Sequence, residues 1–397
     1  MKSNKHQYMK IHTNNGNLTR LVNVLFALFM IGCSGNGPNL PVHLKVETES
    51  ESVLSIDSYF DDIRYIPLET SDSCLVGRVK KFIKVKEKFY VQTDNHELMI
   101  FSETGRFLWK LSARGRGPGE YLAIEDFDVA EDGRIYLWDW SSRNMLLYSD
   151  GGIFQKSLGL DISFINFRLL PDGKIIAYCD RYNSHQIAIV DLSDNSQQLF
   201  LPWLPEQKHM KVLISERLSD RNSNNCFTLR ENNTVYLIEN DSILPVADID
   251  FGNNQKSSSD KMEEGGVIII NDQVSGLASK STKMGDISTF LDFPDFAYFS
   301  FLIGPVNTHA IWDKMSNEIR YSVLPENALS VIPFDASTNT SNSILQMGNV
   351  STFLHYFTIA EDKDIIRKKF VRDSPDNITK ESNPVIIEYL ISNLNQE

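Results

Sequence analysis

Arg114, Arg116, Glu120 and Tyr121 sit together in Ser112–Tyr121 (SARGRGPGEY), and Trp140 and Arg143 close a short segment further on. The two guanidinium groups of the first cluster are planar cations that suit a carboxylate, sulfate or phosphate. Tyr121 and Trp140 carry flat rings that stack on a sugar or another ring. Glu120 offers acceptor oxygens, and Arg143 adds a third cation. These six residues are the candidate ligand-binding set. Asp126 and Asp128 lie close by and alternate, so on a strand both point to one side. Each feature also has a plainer role. Gly115, Gly117 and Gly119 fit turn positions with φ > 0, and they are no dinucleotide loop because Pro118 interrupts them and no helix follows. Glu120 can satisfy N–H groups of its own turn. Asp139 and Arg143 are expected to pair across a hairpin.

No catalytic constellation accompanies this set. The chain has no HExxH and no GxSxG, and its histidines (His43, His96, His185, His209, His309 and His355 among them) are scattered. His185 and His309 could meet with an aspartate only if the fold brought distant segments together. No catalytic residue, metal ligand or cofactor is assigned.

Cys33 offers a different chemistry. Lys2, Lys5, Lys10 and Arg20 precede Leu21–Ile31 (LVNVLFALFMI), with no acid among them, and Gly32-Cys33-Ser34 follows. A basic start, an apolar run and a small residue form a secretory signal. The 11-residue run is shorter than the ~20 residues a spanning helix needs. Met30-Ile31-Gly32-Cys33 resembles the bacterial lipobox, with Met30 in place of the usual leucine. That resemblance implies cleavage before Cys33 and thioether lipidation of its sulfur. The expected organisation is a signal peptide at 1–32, a flexible linker at 33–42 rich in Gly, Pro and Asn, and one folded body at 43–397.

Removing residues 1–32 takes four cations and no acid from a formal net charge of −13, which leaves −17. Such a balance argues against a nucleic-acid partner, which would want a basic face, and against charge-driven binding to anionic lipid. Cys74, Cys179 and Cys226 lack CxxC spacing, and a disulfide framework is not expected in so long a chain. Cys179, inside an apolar run, reads as a buried thiol. A Cys74–Cys226 bridge is conceivable.

Positioning the candidate set falls to repeated short strands. Phe89–Val91, Leu98–Phe101, Gly105 and Phe107–Trp109 recur as Ile135–Asp139, Met145–Tyr148, Gly151-Gly152 and Ile153-Phe154, an offset of 46–47 residues. Weaker copies follow at Pro171–Asp191, Thr234–Phe251 and Tyr298–Val323. A period of ~40–50 residues with about four strands is the signature of a β-propeller. A ring of sheets buries apolar faces that one sheet alone leaves wet. Segment 253–291 reads as an insertion or elaborated connection. Segment 352–372 has helical spacing and reads as a helix over the rim. Trp109, Trp138 and Trp312 fall in strand-like runs and read as core between blades. Labelling the strands of a blade A (inner) to D (outer), the D-to-A links and B-to-C turns emerge on one face. Arg114–Tyr121 is a D-to-A link and Trp140–Arg143 a B-to-C turn, so both project from the same end.

Ser112–Tyr121, Asp126–Asp128, Gly133–Asp139 and Ser142–Tyr148 together resemble an NHL-type repeat. The whole chain is similar to the six-bladed, NHL- and TolB-like propeller lipoproteins of Bacteroides-type bacteria. Tyr65–Thr70 (YIPLET) matches the opening strand of that family, and Asn383–Leu390 (NPVIIEYL) its closing strand. The resemblance implies an all-β, six-bladed propeller of four-stranded antiparallel blades. Ile63–Leu68 and Val385–Ile391 would close the ring, so that no sticky edges remain, and a short C-terminal helix would accompany them. It also implies a lipid-anchored envelope protein. Ser34–Pro41 has no acidic cluster of the kind tied to surface display, which points to a periplasmic facing. The function expected is non-catalytic binding of a glycan, peptide or envelope-protein partner on the link-bearing face. The alternative is a lyase or hydrolase with a metal in the central channel, by fold analogy alone.

Overall fold

Runs such as Lys88–Thr93 (KFYVQT) and Ile135–Asp139 (IYLWD) are β-branched and aromatic. Turn residues bound them, so they extend and pair. In the computed structural model, the described residues are 41–46, 59–204, 225–229, 232–255, 283–304, 306–322, 336–348, 350–359 and 363–391. Cys33 and the rest of the export segment lie outside them. The fold belongs to the unit Val42–Glu397.

Among the described residues the first strands are β1 (Val42–Lys45) and β2 (Phe60–Pro67). The first blade is β3 (Val79–Val85), β4 (Lys88–Thr93), β5 (Leu98–Ser102) and β6 (Phe107–Leu111). The second is β7 (Asp126–Val129), β8 (Ile135–Asp139), β9 (Asn144–Tyr148) and β10 (Phe154–Gly159). The third is β11 (Phe164–Leu169), β12 (Lys174–Cys179), β13 (His185–Asp191) and β14 (Gln197–Pro202). The fourth contains β15 (Cys226–Thr228), β16 (Thr234–Glu239) and β17 (Ser242–Asp250). The fifth is β18 (Met284–Asp292), β19 (Phe296–Ile303), β20 (Val306–Asp313) and β21 (Glu318–Ser322). The sixth holds β22 (Ala336–Thr340) and β23 (Ser343–Gly348), then helices α1 (Val350–Ile359) and α2 (Lys363–Lys368), then β24 (Val385–Ile391).

The N-terminal strands complete two different blades. β2 pairs antiparallel with β24, Tyr65 opposite Ile387, and so closes the ring where the sequence predicts. β1 pairs in parallel with β17, Val42 opposite Ala247, and becomes the fourth strand of the fourth blade. Within β1 only Leu44 is buried. Two further segments differ from expectation. Met284–Asp292, placed in the insertion 253–291, is the first strand of a blade, while 256–282 lie outside the described residues. The helix expected at 352–372 is two short helices, and the chain then returns as an added edge. Tyr65 donates its N–H to Lys369 O and accepts from Val371 N–H (3.0 and 2.9 Å). The Phe370 ring stacks on Tyr65 at 5.2 Å. This covers the outer edge of β2, which would otherwise stay open for pairing.

Each of the six seams between neighbouring blades has its own apolar cluster. Successive residues of one strand serve opposite seams: Tyr65 packs toward the fifth blade and Ile66 toward the first. Trp138, fully buried, stacks on Phe164 of the third blade at 4.0 Å and donates Nε1–H to Phe164 O at 2.9 Å. Burial of one such side chain contributes about 2–3 kcal/mol. Trp109 and Trp312, partly buried, pack on their own seam clusters.

Candidate functional site

The connection 112–125 joins β6 to β7, and Trp140–Arg143 joins β8 to β9. Both leave the ring on the link face, as strand parity requires. A continuous chain of hydrogen bonds ties them together and runs on into the third blade. Arg114 Nε donates to Leu122 O (3.2 Å), and Leu122 N–H donates to Asp139 Oδ2 (2.8 Å). Asp139 Oδ1 accepts from the N–H groups of Ser141 (3.0 Å) and Ser142 (3.4 Å), which fixes the turn bearing Trp140. Trp140 Nε1 donates to Ser163 Oγ at 2.9 Å, with Asp180 Oδ2 at 3.5 Å. Ser163 Oγ donates to the same Asp180 oxygen. Asp180 Oδ1 in turn accepts from Tyr182 N–H (3.0 Å) and Asn183 Nδ2 (2.8 Å). Asp139 and Asp180 thus do one job in adjacent blades: a buried carboxylate at the end of the second strand holds the following turn.

The six candidate residues do not all face solvent. Arg114, Arg116 and Arg143 are exposed, and Trp140 is 46% exposed. Tyr121 is 1% exposed and belongs to the seam of the first two blades. Its hydroxyl donates to His96 O (2.9 Å) and accepts from Ala113 N–H (3.2 Å). Burial pushes its pKa up to about 12. It therefore anchors the link and offers no face for stacking. Glu120 Oε2 accepts from Gly117 N–H at 2.7 Å. A Cβ on Gly115 would come within 2.0 Å of that carboxylate, so Gly115 is there to let Glu120 fold back. Of the three link glycines only Gly119, at φ +76°, takes the left-handed conformation. The expected Asp139–Arg143 pair is replaced by the backbone donors that fill Asp139.

The inner-strand acids are structural. Lys81 Nζ on β3 donates to Asp126 Oδ1 (2.9 Å) and Phe127 O (2.7 Å) on β7. Asp126 Oδ2 and Asp128 Oδ2 accept from Phe167 N–H (2.8 Å) and Leu169 N–H (2.7 Å) on β11. Three neighbouring blades are thereby joined strand to strand. His185 and His309 sit on β13 and β20, the third strands of their blades, and not on inner strands. Among the described residues, no three His, Cys, Asp or Glu side chains are grouped to hold a metal ion. Cys74, Cys179 and Cys226 are buried free thiols. Cys74 and Cys226 lie in different seams, so they do not bridge. A cleft of about 460 Å³ lies elsewhere, with Glu87, Glu103, Arg106 and Arg372 in its wall, and contains none of the candidate residues.

Residues 40–389 match the family described as Domain of unknown function (DUF4934). The chain belongs to that family. No curated protein sequence matches it. Among solved structures it is similar to a Bacteroides fragilis protein described as exported, at TM-score 0.67 and 16% identity, covering 89% of this chain and 100% of that one. It is also similar to a member of the DUF4221 family from Bacteroides vulgatus, at TM-score 0.53 and 9% identity, covering 84% and 97%. At these identities the likeness is one of fold.

Sequence reasoning missed part of this DUF4934 surface. Asp180, Tyr182 and Ser163 are integral to the bonded chain, and Tyr182 is 92% exposed. A usable signal existed. Asp180–Ser184 follows the second strand of its blade as Asp139–Arg143 does, and the same parity rule places it on the link face.

Proposed function

We propose that this DUF4934 chain is an exported, lipid-anchored propeller of the cell envelope that binds a ligand or partner protein, without catalysis, on its link face. The observation that carries the reading is Trp140. Its indole N–H is bonded across the seam to Ser163, while nearly half of the residue stays in solvent. A ring fixed at one edge binds with little loss of rotamer freedom. Arg143 ends the same turn, Arg114 is tied to it through Leu122 and Asp139, and Arg116 is exposed on the same link as Arg114; these guanidinium groups supply charge. Export and tethering rest on residues 1–33, and the likeness to a Bacteroides protein described as exported is in keeping with them.

Two experiments test the proposal. Replacing Cys33 by Ser should move the protein from the membrane to the soluble fraction; continued membrane association would refute the lipid anchor. A glycan and peptide array should yield a binder that the Arg114→Ala/Arg116→Ala variant no longer retains, with Tm shifted by less than about 2 °C. A fall of many degrees, or undiminished binding, would remove these arginines from the site.

A further inference from the structure

Trp140 and Tyr182 come from different blades yet meet on one carboxylate. Trp140 Nε1 lies 3.5 Å from Asp180 Oδ2, and Tyr182 N–H donates to Asp180 Oδ1 at 3.0 Å. Asn183 Nδ2 locks the same turn to the preceding link through Ser163 O (2.6 Å). Two exposed aromatic residues, one on each side of the seam of the second and third blades, are thereby borne on turns that bond to the same carboxylate. An exposed cation accompanies them in a chain of formal net charge −13. Arg143 ends the turn that begins with Trp140 and is exposed. Asp139 and Asp180 at these turns are buried and filled by internal donors, and the exposed Asp161 of the link that carries Ser163 accepts from Asn195 Nδ2 at 2.9 Å. Glu120, though exposed, is bonded to its own turn.

From this juxtaposition we infer that Trp140 and Tyr182, together with Arg143, form a binding site for an acidic polysaccharide. The inference rests on the link-face reading above and names its ligand class. Flat, amphipathic rings on an open surface suit the apolar faces of sugar rings. Exposed guanidinium groups pair with uronate or sulfate. A peptide would instead look for pockets that take alternate side chains, and this surface presents rings and a cation. The net negative charge of the rest of the molecule repels an acidic polymer and confines it to this sector.

The test is titration of the full-length chain with dextran, dextran sulfate and polygalacturonate. Dextran sulfate or polygalacturonate should bind, and dextran should bind more weakly. Trp140→Ala should weaken binding at least about 10-fold and Tyr182→Ala several-fold, with Tm unchanged. Trp140→Phe, which keeps a ring but loses the bond to Ser163, should fall between. Arg143→Gln should weaken the acidic polymers and leave dextran unaffected. Acidic polymers that bind equally well to Trp140→Ala would reveal charge adsorption and overturn the inference. Failure of all three polymers alongside Trp140-dependent binding of an arrayed peptide would overturn it too, yet leave the binding-module reading intact. Failure of every polymer and every arrayed ligand would remove both.

Discussion

Two seams of the ring are each crossed by a carboxylate, and the two are put to opposite use. At the seam of the sixth and first blades, Glu388 is 1% exposed. It takes Lys84 Nζ at 2.8 Å, Ser343 Oγ at 3.2 Å and the guanidinium of Arg64. At the seam of the second and third blades, Asp180 takes neutral donors: an indole, a hydroxyl, an amide and a backbone N–H. The first carboxylate draws cations inward and joins four strands, β2, β3, β23 and β24. The second fixes turns that leave two aromatic side chains in solvent. One seam stabilises the ring; the other shapes a surface.

The largest expected effect is at the closure seam. Glu388→Ala leaves Lys84 and Arg64 facing each other without an anion and should cost about 3–5 kcal/mol, read as a lower urea midpoint. A loss below about 1 kcal/mol would mean that closure does not depend on this group. A smaller effect comes from a third seam, between the fifth and sixth blades. There Tyr298 Oη and His309 Nδ1 are 2.6 Å apart, and burial lowers the imidazole from 6.5 to about 4. The unfolded chain then takes up the proton more readily, so stability is complete above about pH 6.5 and falls towards pH 4. The loss should be about 1–3 kcal/mol. Glu388 acts in a different window. Burial raises its carboxyl, but the bonds and charges of Lys84 and Arg64 outweigh this and hold it below its ordinary value. Its contribution is complete above about pH 4.3 and disappears as pH falls through the lower folded value. His309→Gln should therefore flatten the stability profile between pH 6.5 and 4 and leave the drop below pH 4. An unaltered slope in the upper window would reassign that titration to another group.

The ring was legible because its logic is repeated along the chain. Closure at Ile63–Leu68 and Val385–Ile391 could be read because a propeller needs edges that match. β1 was not legible: four residues with one buried side chain carry no periodic signal, and their partners lie some 200 residues away. Tyr121 misled because an aromatic in a Gly-rich, polar stretch reads as exposed. The link folds back on itself, with Tyr121 N–H bonded to Ala113 O and Gly115 N–H to Tyr121 O, and carries the ring into the core. Asp139 was assigned to Arg143 by sequence proximity, whereas N–H donors from its own turn and from Leu122 reach the carboxylate first. Trp140 was found because strand parity survives such local detail. Tyr182 obeyed the same parity but sits in a weaker copy of the repeat.

Hydrogen–deuterium exchange on the full-length chain, with and without dextran sulfate, tests the division between seams most directly. Slowed exchange confined to residues 112–122, 140–143 and 180–184 is the expected result. Protection at the opposite turns, such as 86–87 and 192–196, with none on the link face, would contradict it.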